Sequence, residues 1–391
     1  MLVSFILATV VPPMVLAYLG GWLMRCVAPR LGWVDRPEGR KIHSRPIPTS
    51  GGLAVWAAVV GVFALGQAGL AWLKATGQLD ATMPTIAGLP IPQFAVPHLP
   101  GLWAQSGNLW MLLGAGTMLM LLGWLDDRRP LDWRFRLAVE TLLAAVLVAL
   151  GWRLSLFIEN PWITGAASVL WIVGLVNAFN MLDNMDGLSA GVAAIASAML
   201  GAVLLMTPNP QSQEPQFFVA GFLLVLTGAL VGFLWHNRPP ARLFLGDAGS
   251  YLVGFWIAMA TLSATFVVLE DGQPKRHAIL APLCVLAVPI YDMITVVAIR
   301  LRAGRSPFEG DRSHLSHRLV ELGMSRPQAV GVIYLLTATC GLGALLLHQV
   351  DMTGACVVLL LVVCVLVVIG ILESAGRKQR MEVSEPSEKA R

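Results

Sequence analysis

The sequence predicts an all-α, polytopic integral membrane protein, and three observations carry that reading. Of its 391 residues, 56% are hydrophobic and only 13% charged, against about 25% charged in soluble domains. Apolar runs of the length needed to cross ~30 Å of hydrocarbon recur along the chain. Basic residues gather in alternate connecting segments, as they do on the cytoplasmic side of membrane proteins. A water-soluble core could not hide so much apolar side chain, whereas spans of ~20 apolar residues account for it directly.

Taken in order, the apolar runs predict about eleven spans, at 3–24, 51–73, 109–125, 136–152, 162–181, 187–207, 217–236, 248–269, 278–299, 328–347 and 354–373. The first lacks a basic n-region and a small-residue cleavage site before Arg25, so it reads as a retained span and not a signal peptide. Segments 25–50 and 300–326 each carry a run of Lys or Arg and are expected inside. Alternation then places 126–136, 182–186, 237–247 and the tail inside, with the N-terminus outside and the C-terminus cytoplasmic. Only Lys74, Arg153, Lys275 and Arg276 of the 27 basic residues fall outside. Segment 74–108, rich in Pro and Gly and nearly free of charge, reads as an external loop. Residues 1–373 are expected to form a single transmembrane catalytic domain, followed by a polar, disordered tail at 374–391. The five cysteines form no CxxC pair and lie mostly in apolar runs, which points away from disulfides and structural zinc.

Six carboxylates fall at or near inner ends of spans: Asp126, Asp127, Asp183, Asp186, Asp247 and Asp292. Ionisable groups in such positions are costly in lipid and mark function. Adjacent Asp126 and Asp127 repel, so one should have a raised pKa unless a cation is near, which suits a metal neighbourhood or a proton acceptor. Asn177, Asn180, Asp183 and Asp186 recur every three residues and would fan across one face of a helix end. Oxygen donors of this kind suit Mg²⁺, which takes one or two protein ligands and fills the rest with water and phosphate.

Asp247 lies in a Gly-Asp-Ala-Gly-Ser string that opens a span, and the free N–H groups of that helix start would suit a phosphate. Loop 305–319 brings Arg312, Arg318, His314 and His317 together, a set suited to phosphate; zinc on the two histidines is the competing idea. Loop 35–52 combines Arg36, Arg40, Lys41, His43 and Arg45 with Pro and the Gly51-Gly52 pair.

With these five segments in view, the chain resembles the polyprenyl-phosphate N-acetylhexosamine-1-phosphate transferases, a family-4 glycosyltransferase type that starts O-antigen, enterobacterial common antigen or teichoic acid assembly. The loop 35–52 brings it nearer the transferases using UDP-GlcNAc than the phospho-MurNAc-pentapeptide transferases. The resemblance implies transfer of a HexNAc-1-phosphate, GlcNAc-1-phosphate foremost, from a UDP-sugar to undecaprenyl phosphate. It implies a bacterial inner-membrane enzyme whose site faces the cytoplasm. Asn180 and Asp247 would hold Mg²⁺, with Mn²⁺ as a substitute, and Asp126 and Asp127 would lie beside the lipid phosphate. Asp183 and Asp186 would order the nucleotide and the metal. His314, His317 and Arg318 would contact phosphates and sugar, and Lys41, His43, Arg136, Asn177, Phe244 and Arg312 would bind substrate, with Phe244 stacking on uracil.

Four positions depart from the family pattern: Arg136 for Lys, Glu140 for Gln, Asn184 for Gly and Ser316 for a middle His. A homodimer and no nucleic-acid partner are also expected from the resemblance. The rival readings are a phospho-MurNAc-pentapeptide transferase and, from another class, an ion-coupled transporter. Against the transporter, the carboxylates gather at one membrane face and not at the midplane.

Overall fold

The computed structural model describes residues 1–35, 46–93, 95–154, 158–210, 212–270, 273–308 and 313–384. Its helices are α1 (Leu2–Val27), α2 (Gly51–Ala75), the short α3 (Leu99–Ala104), α4 (Ser106–Asp126), α5 (Trp133–Ala149), α6 (Pro161–Leu182) and α7 (Leu188–Met206). They continue as α8 (Phe217–Asn237), α9 (Gly246–Ser263), α10 (Ala281–Val285), α11 (Ala287–Arg302), α12 (Leu315–Glu321), α13 (Arg326–Leu346) and α14 (Met352–Ser384). Three two-stranded antiparallel pairs join them: β1 (Val34–Asp35) with β2 (Ile47–Pro48), β3 (Thr85–Ile86) with β4 (Leu89–Pro90), and β5 (Val268–Glu270) with β6 (Gln273–Lys275).

All eleven expected segments are helical, but they do not all qualify as spans. Among the described residues, eight helices are long and apolar enough to cross a membrane, or nine if the pair 276–285 and α11, bent by 66°, counts as one. The other two are short or polar for visible reasons. α5 has 17 residues. α9 has 18 but opens on the polar string around Asp247. α14 runs as helix from Met352 to Ser384.

Local chemistry explains several helix starts. Asp132 accepts from the Arg134 N–H at 2.8 Å to open α5, and Asn160 accepts from the Trp162 N–H at 2.9 Å ahead of Pro161 at the first turn of α6. Ser325 and Gln328 form a capping box on α13. The segment 74–108 carries structure of its own: its β3–β4 turn and α3 fold onto the end of α2, burying Leu70, Leu73 and Leu99 with Ile86 and Trp103.

α9 occupies the centre. Every residue from Ala248 to Leu262 is buried, against α4, α6 and α2 above all. Close approach at these crossings depends on missing side chains, as between membrane helices generally. A Cβ on Gly123 of α4 would strike the Asp247 carbonyl, one on Gly52 of α2 would strike the Gly249 backbone, and one on Gly254 would lie 2.6 Å from the Leu175 carbonyl of α6. Each removed methyl brings a neighbouring helix onto the start or flank of α9. The C-terminal ends of α4, α6 and α8 and the N-terminal ends of α2, α5, α7 and α9 thereby meet at one end of the bundle.

Candidate active site

The centre of that end is the first turn of α9, and two other helices deliver carboxylates to it. Asp127, just past the end of α4, accepts from the Asp247 N–H on one oxygen at 3.0 Å and from the Ala248 N–H on the other at 3.2 Å. The Gly246 N–H faces Asp183, which follows the last residue of α6. This corrects the expectation that the α9 N-terminus is open to a phosphate. Its first N–H groups are already occupied, because a carboxylate is the natural partner for the positive end of a helix. Gly246 makes the geometry feasible at φ +73°, where a Cβ would sit 2.6 Å from Asp127 Oδ2 and 2.8 Å from the Thr49 carbonyl.

Asn180, in the last turn of α6, donates to Asp247 Oδ1 at 2.6 Å and to Ser250 Oγ at 3.2 Å. The expected four-residue fan is split at this point. α6 stops at Leu182, so Asp183 and Asp186 belong to the turn before α7. Asn177, a turn further into the helix, faces away and donates to Glu140 of α5 at 2.6 Å. Asp186 accepts from the Ala241 N–H at 2.9 Å. Asn237 donates to the Leu243 carbonyl at 2.9 Å and accepts from the Gly187 N–H at 3.1 Å. Together these bonds clamp the turn from α8 to α9. On its other side, Phe244 is zipped to the start of α2: its N–H donates to the Pro48 carbonyl at 2.8 Å, and its carbonyl accepts from Gly51 at 2.9 Å. The Phe244 side chain is half-buried.

Asp126 is buried and differently employed. It pairs with Arg136 of α5, and accepts from Tyr251 Oη at 3.1 Å and from the Leu131 N–H at 2.7 Å. Arg136 lies 3.1 Å from the same tyrosine oxygen. Beside this pair, the Arg128 guanidinium stacks 3.8 Å over Trp33 and 4.4 Å from Trp124, which fixes the turn after Asp127.

The carboxylates crowd one another. Burial, then the charge of Asp247, pushes Asp183 up to about 8 from an ordinary 3.8. The same two causes in the same order hold Asp127 well above its ordinary range, against the two backbone N–H bonds that pull it down. Such a concentration of negative charge invites a cation. Among the described residues no three His, Cys, Asp or Glu side chains converge as a cage. Asn180 and Asp247, which touch through the amide nitrogen of Asn180, also carry an amide oxygen and a carboxylate, the hard oxygen types that suit Mg²⁺ with water and phosphate completing its shell.

A second cluster surrounds α12. Asp292 of α11 accepts from His314 Nδ1 at 2.9 Å and from the Leu315 N–H at 2.6 Å. Arg318 donates to the Ser313 carbonyl at 2.6 Å and to Thr295 Oγ1 at 3.1 Å, and its Nε lies 2.9 Å from Glu373 of α14. The half-buried His317 ring lies 6.4 Å from that of His314. Lys41, His43 and Arg312 lie outside the described residues.

Sequence reasoning left out Tyr251, Glu373 and the engaged role of Asp292. Tyr251 had a signal, since it follows Asp247 by four residues and so shares its helix face. Glu373 had one too, as the lone charge in the apolar run of α14.

The fold and site thus define a multi-pass membrane protein with an aspartate-rich, arginine-backed centre at one end of its bundle. The model of glycosyl transferase family 4 matches residues 109–265, the stretch that holds Asp126, Asp127, Asn180, Asp183, Asp186 and Asp247. A decaprenyl-phosphate N-acetylglucosaminephosphotransferase of Mycobacterium tuberculosis is 31% identical over 351 residues, 84% of this chain and 79% of that one. A probable undecaprenyl-phosphate N-acetylglucosaminyl 1-phosphate transferase of Bacillus subtilis is 27% identical over 84% of this chain and 80% of its own length. The undecaprenyl-phosphate alpha-N-acetylglucosaminyl 1-phosphate transferase of Escherichia coli is 27% identical over 80% and 76%. The chain belongs to glycosyl transferase family 4, in its polyprenyl-phosphate N-acetylhexosamine-1-phosphate transferase group.

Proposed function

We propose that the protein transfers GlcNAc-1-phosphate from UDP-GlcNAc to undecaprenyl phosphate at the cytoplasmic face of the bacterial inner membrane, releasing UMP. The observation that carries the reading is the convergence of Asp127, Asp183, Asn180 and Asp247 on the first turn of α9, with Arg136 held beside them by Asp126. The names of the relatives support GlcNAc as the sugar and a polyprenyl phosphate as the acceptor. They favour this reading over a phospho-MurNAc-pentapeptide transferase and over a transporter.

An oxygen of the lipid phosphate attacks the β-phosphorus of the donor, a P–O bond forms to the lipid, and the bond to UMP breaks. The lipid phosphate has a second pKa near ~6 and is largely dianionic at neutral pH, so a strong base is not required. Mg²⁺ held by Asn180 and Asp247 would supply charge neutralisation on the diphosphate. Arg136, fixed by Asp126 and Tyr251, offers a guanidinium to the second phosphate. Asp127 keeps the α9 turn, and with it Asp247, in place. Arg318, committed to Ser313, Thr295 and Glu373, anchors the α12 segment that would carry His314 and His317 toward phosphate and sugar, and Phe244 offers a ring to the base.

With the N-terminus outside, the clustered helix ends would lie in the cytoplasm, an orientation that the distribution of Lys and Arg supports. The deciding experiment is UMP release by detergent-solubilised protein given Mg²⁺, undecaprenyl phosphate and a panel of UDP-sugars. Release with UDP-GlcNAc above the other donors is expected. Failure with every UDP-HexNAc would end the transferase reading.

A further inference from the structure

Two uncharged polar side chains meet between the two clusters of the site. Ser316 Oγ, on the first turn of α12, donates to Asn184 Oδ1 in the turn between α6 and α7. The same amide donates through Nδ2 to the Met181 carbonyl at 2.9 Å. Met181 lies in the last turn of α6, whose carbonyls have no partner within the helix. One side chain therefore closes the end of α6 and accepts α12. A glycine at position 184 could do neither.

The place of this bond gives it weight. Asn184 directly follows Asp183 and lies two residues before Asp186, while Ser316 lies two residues from both His314 and Arg318 on a seven-residue helix. Ser316 is 1% exposed, so its hydroxyl has no ready water to replace the amide. Asp292 and Thr295 of α11 and Glu373 of α14 also anchor α12, and none of them belongs to the carboxylate turn. The Ser316 to Asn184 bond is a side-chain bond that ties α12 to the turn holding the carboxylates.

We propose that Asn184 and Ser316 form a latch that sets the spacing between the carboxylate turn and the His314–Arg318 segment, and that both are positioning residues for binding of the sugar-diphosphate donor. The latch works through one shared bond, so losing Ser316 adds nothing once Asn184, which also holds the Met181 carbonyl, is gone. This inference rests on the transferase reading, and wild-type UMP release tests that reading separately.

The experiment compares full-length wild type with Ser316→Ala, Asn184→Ala, the double variant and Ser316→Thr, measuring KM for UDP-GlcNAc and kcat at saturating undecaprenyl phosphate. Each single variant should raise KM by about three- to tenfold, the range of one net hydrogen bond, with kcat changed less than KM. The double variant should match Asn184→Ala, and Ser316→Thr, which keeps a hydroxyl, should stay within about twofold of wild type. Size-exclusion profiles and melting curves monitor folding, and Ser316→Cys, similar in size with a weaker donor, carries the test where an Ala variant at either position does not fold. An unchanged KM in active single variants, or a double variant whose effect is the product of the two singles, overturns the proposal.

Discussion

Asp126 and Asp127 are neighbours in sequence with different partners. Asp126 holds a side-chain cation and a tyrosine, whereas Asp127 holds a helix end through backbone N–H groups. An adjacent pair in sequence cannot disclose this division, since it is set by which segments pack alongside: α9, 120 or more residues further on, and the start of the next helix. Removing the proposed metal ligand gives the sharpest single-residue outcome: Asp247→Ala should lower UMP release by at least ~10²-fold, while expression and the size-exclusion profile stay as wild type.

The raised carboxylates also make stability depend on pH. A folded-state value near 8 for Asp183, against 3.8 unfolded, means that the native state binds more protons between those limits. Stability should therefore fall as pH rises through that window, in the same sense for Asp127. Melting in EDTA should drop between about pH 5 and 8, and added Mg²⁺ should restore more of the loss at pH 8 than at pH 5. A flat profile in EDTA would contradict it.

At the scale of elements, helix contacts decide what the site can tolerate. Gly123 and Gly114 share α4, yet a Cβ at Gly123 meets the Asp247 backbone, and one at Gly114 meets nothing within 4 Å. Gly123→Ala should cost about 1–3 kcal/mol of stability and depress turnover, whereas Gly114→Ala should leave both near wild type, by melting and UMP assay. Glu373 matters for α14 in a comparable way. Glu373→Ala leaves the buried Arg318 without its carboxylate and should destabilise by about 3 kcal/mol, with Glu373→Gln milder. Apolar runs made the helices legible in the sequence almost to the residue at several ends. The bend between α10 and α11, the capping of α9 by α4, and the Arg318–Glu373 pair were not legible, because each depends on which distant segment packs alongside.

For the whole molecule, the same balance of local and distant information holds. The gathering of Asp126, Asp183, Asp247 and His314 at one end was readable, since alternation of spans and the bias of Lys and Arg place every polar turn on one side. Which of them touch was not, and Asn177 shows the cost: its three-residue spacing matched the others, yet it turns to Glu140. Reporter fusions after residue 384 and ahead of residue 1 test the arrangement, with a cytoplasmic signal expected at the C-terminus and an external one at the N-terminus.

The burial of α9 has one more consequence. The helix that carries Asp247 has its whole length from Ala248 to Leu262 wrapped in protein, while α1 and α14 present long apolar faces outward. Changes in bilayer thickness or lateral tension therefore press on those outer helices and reach the reacting end only after passing through packed neighbours. The chemistry is mechanically sheltered from the lipid in which its acceptor travels.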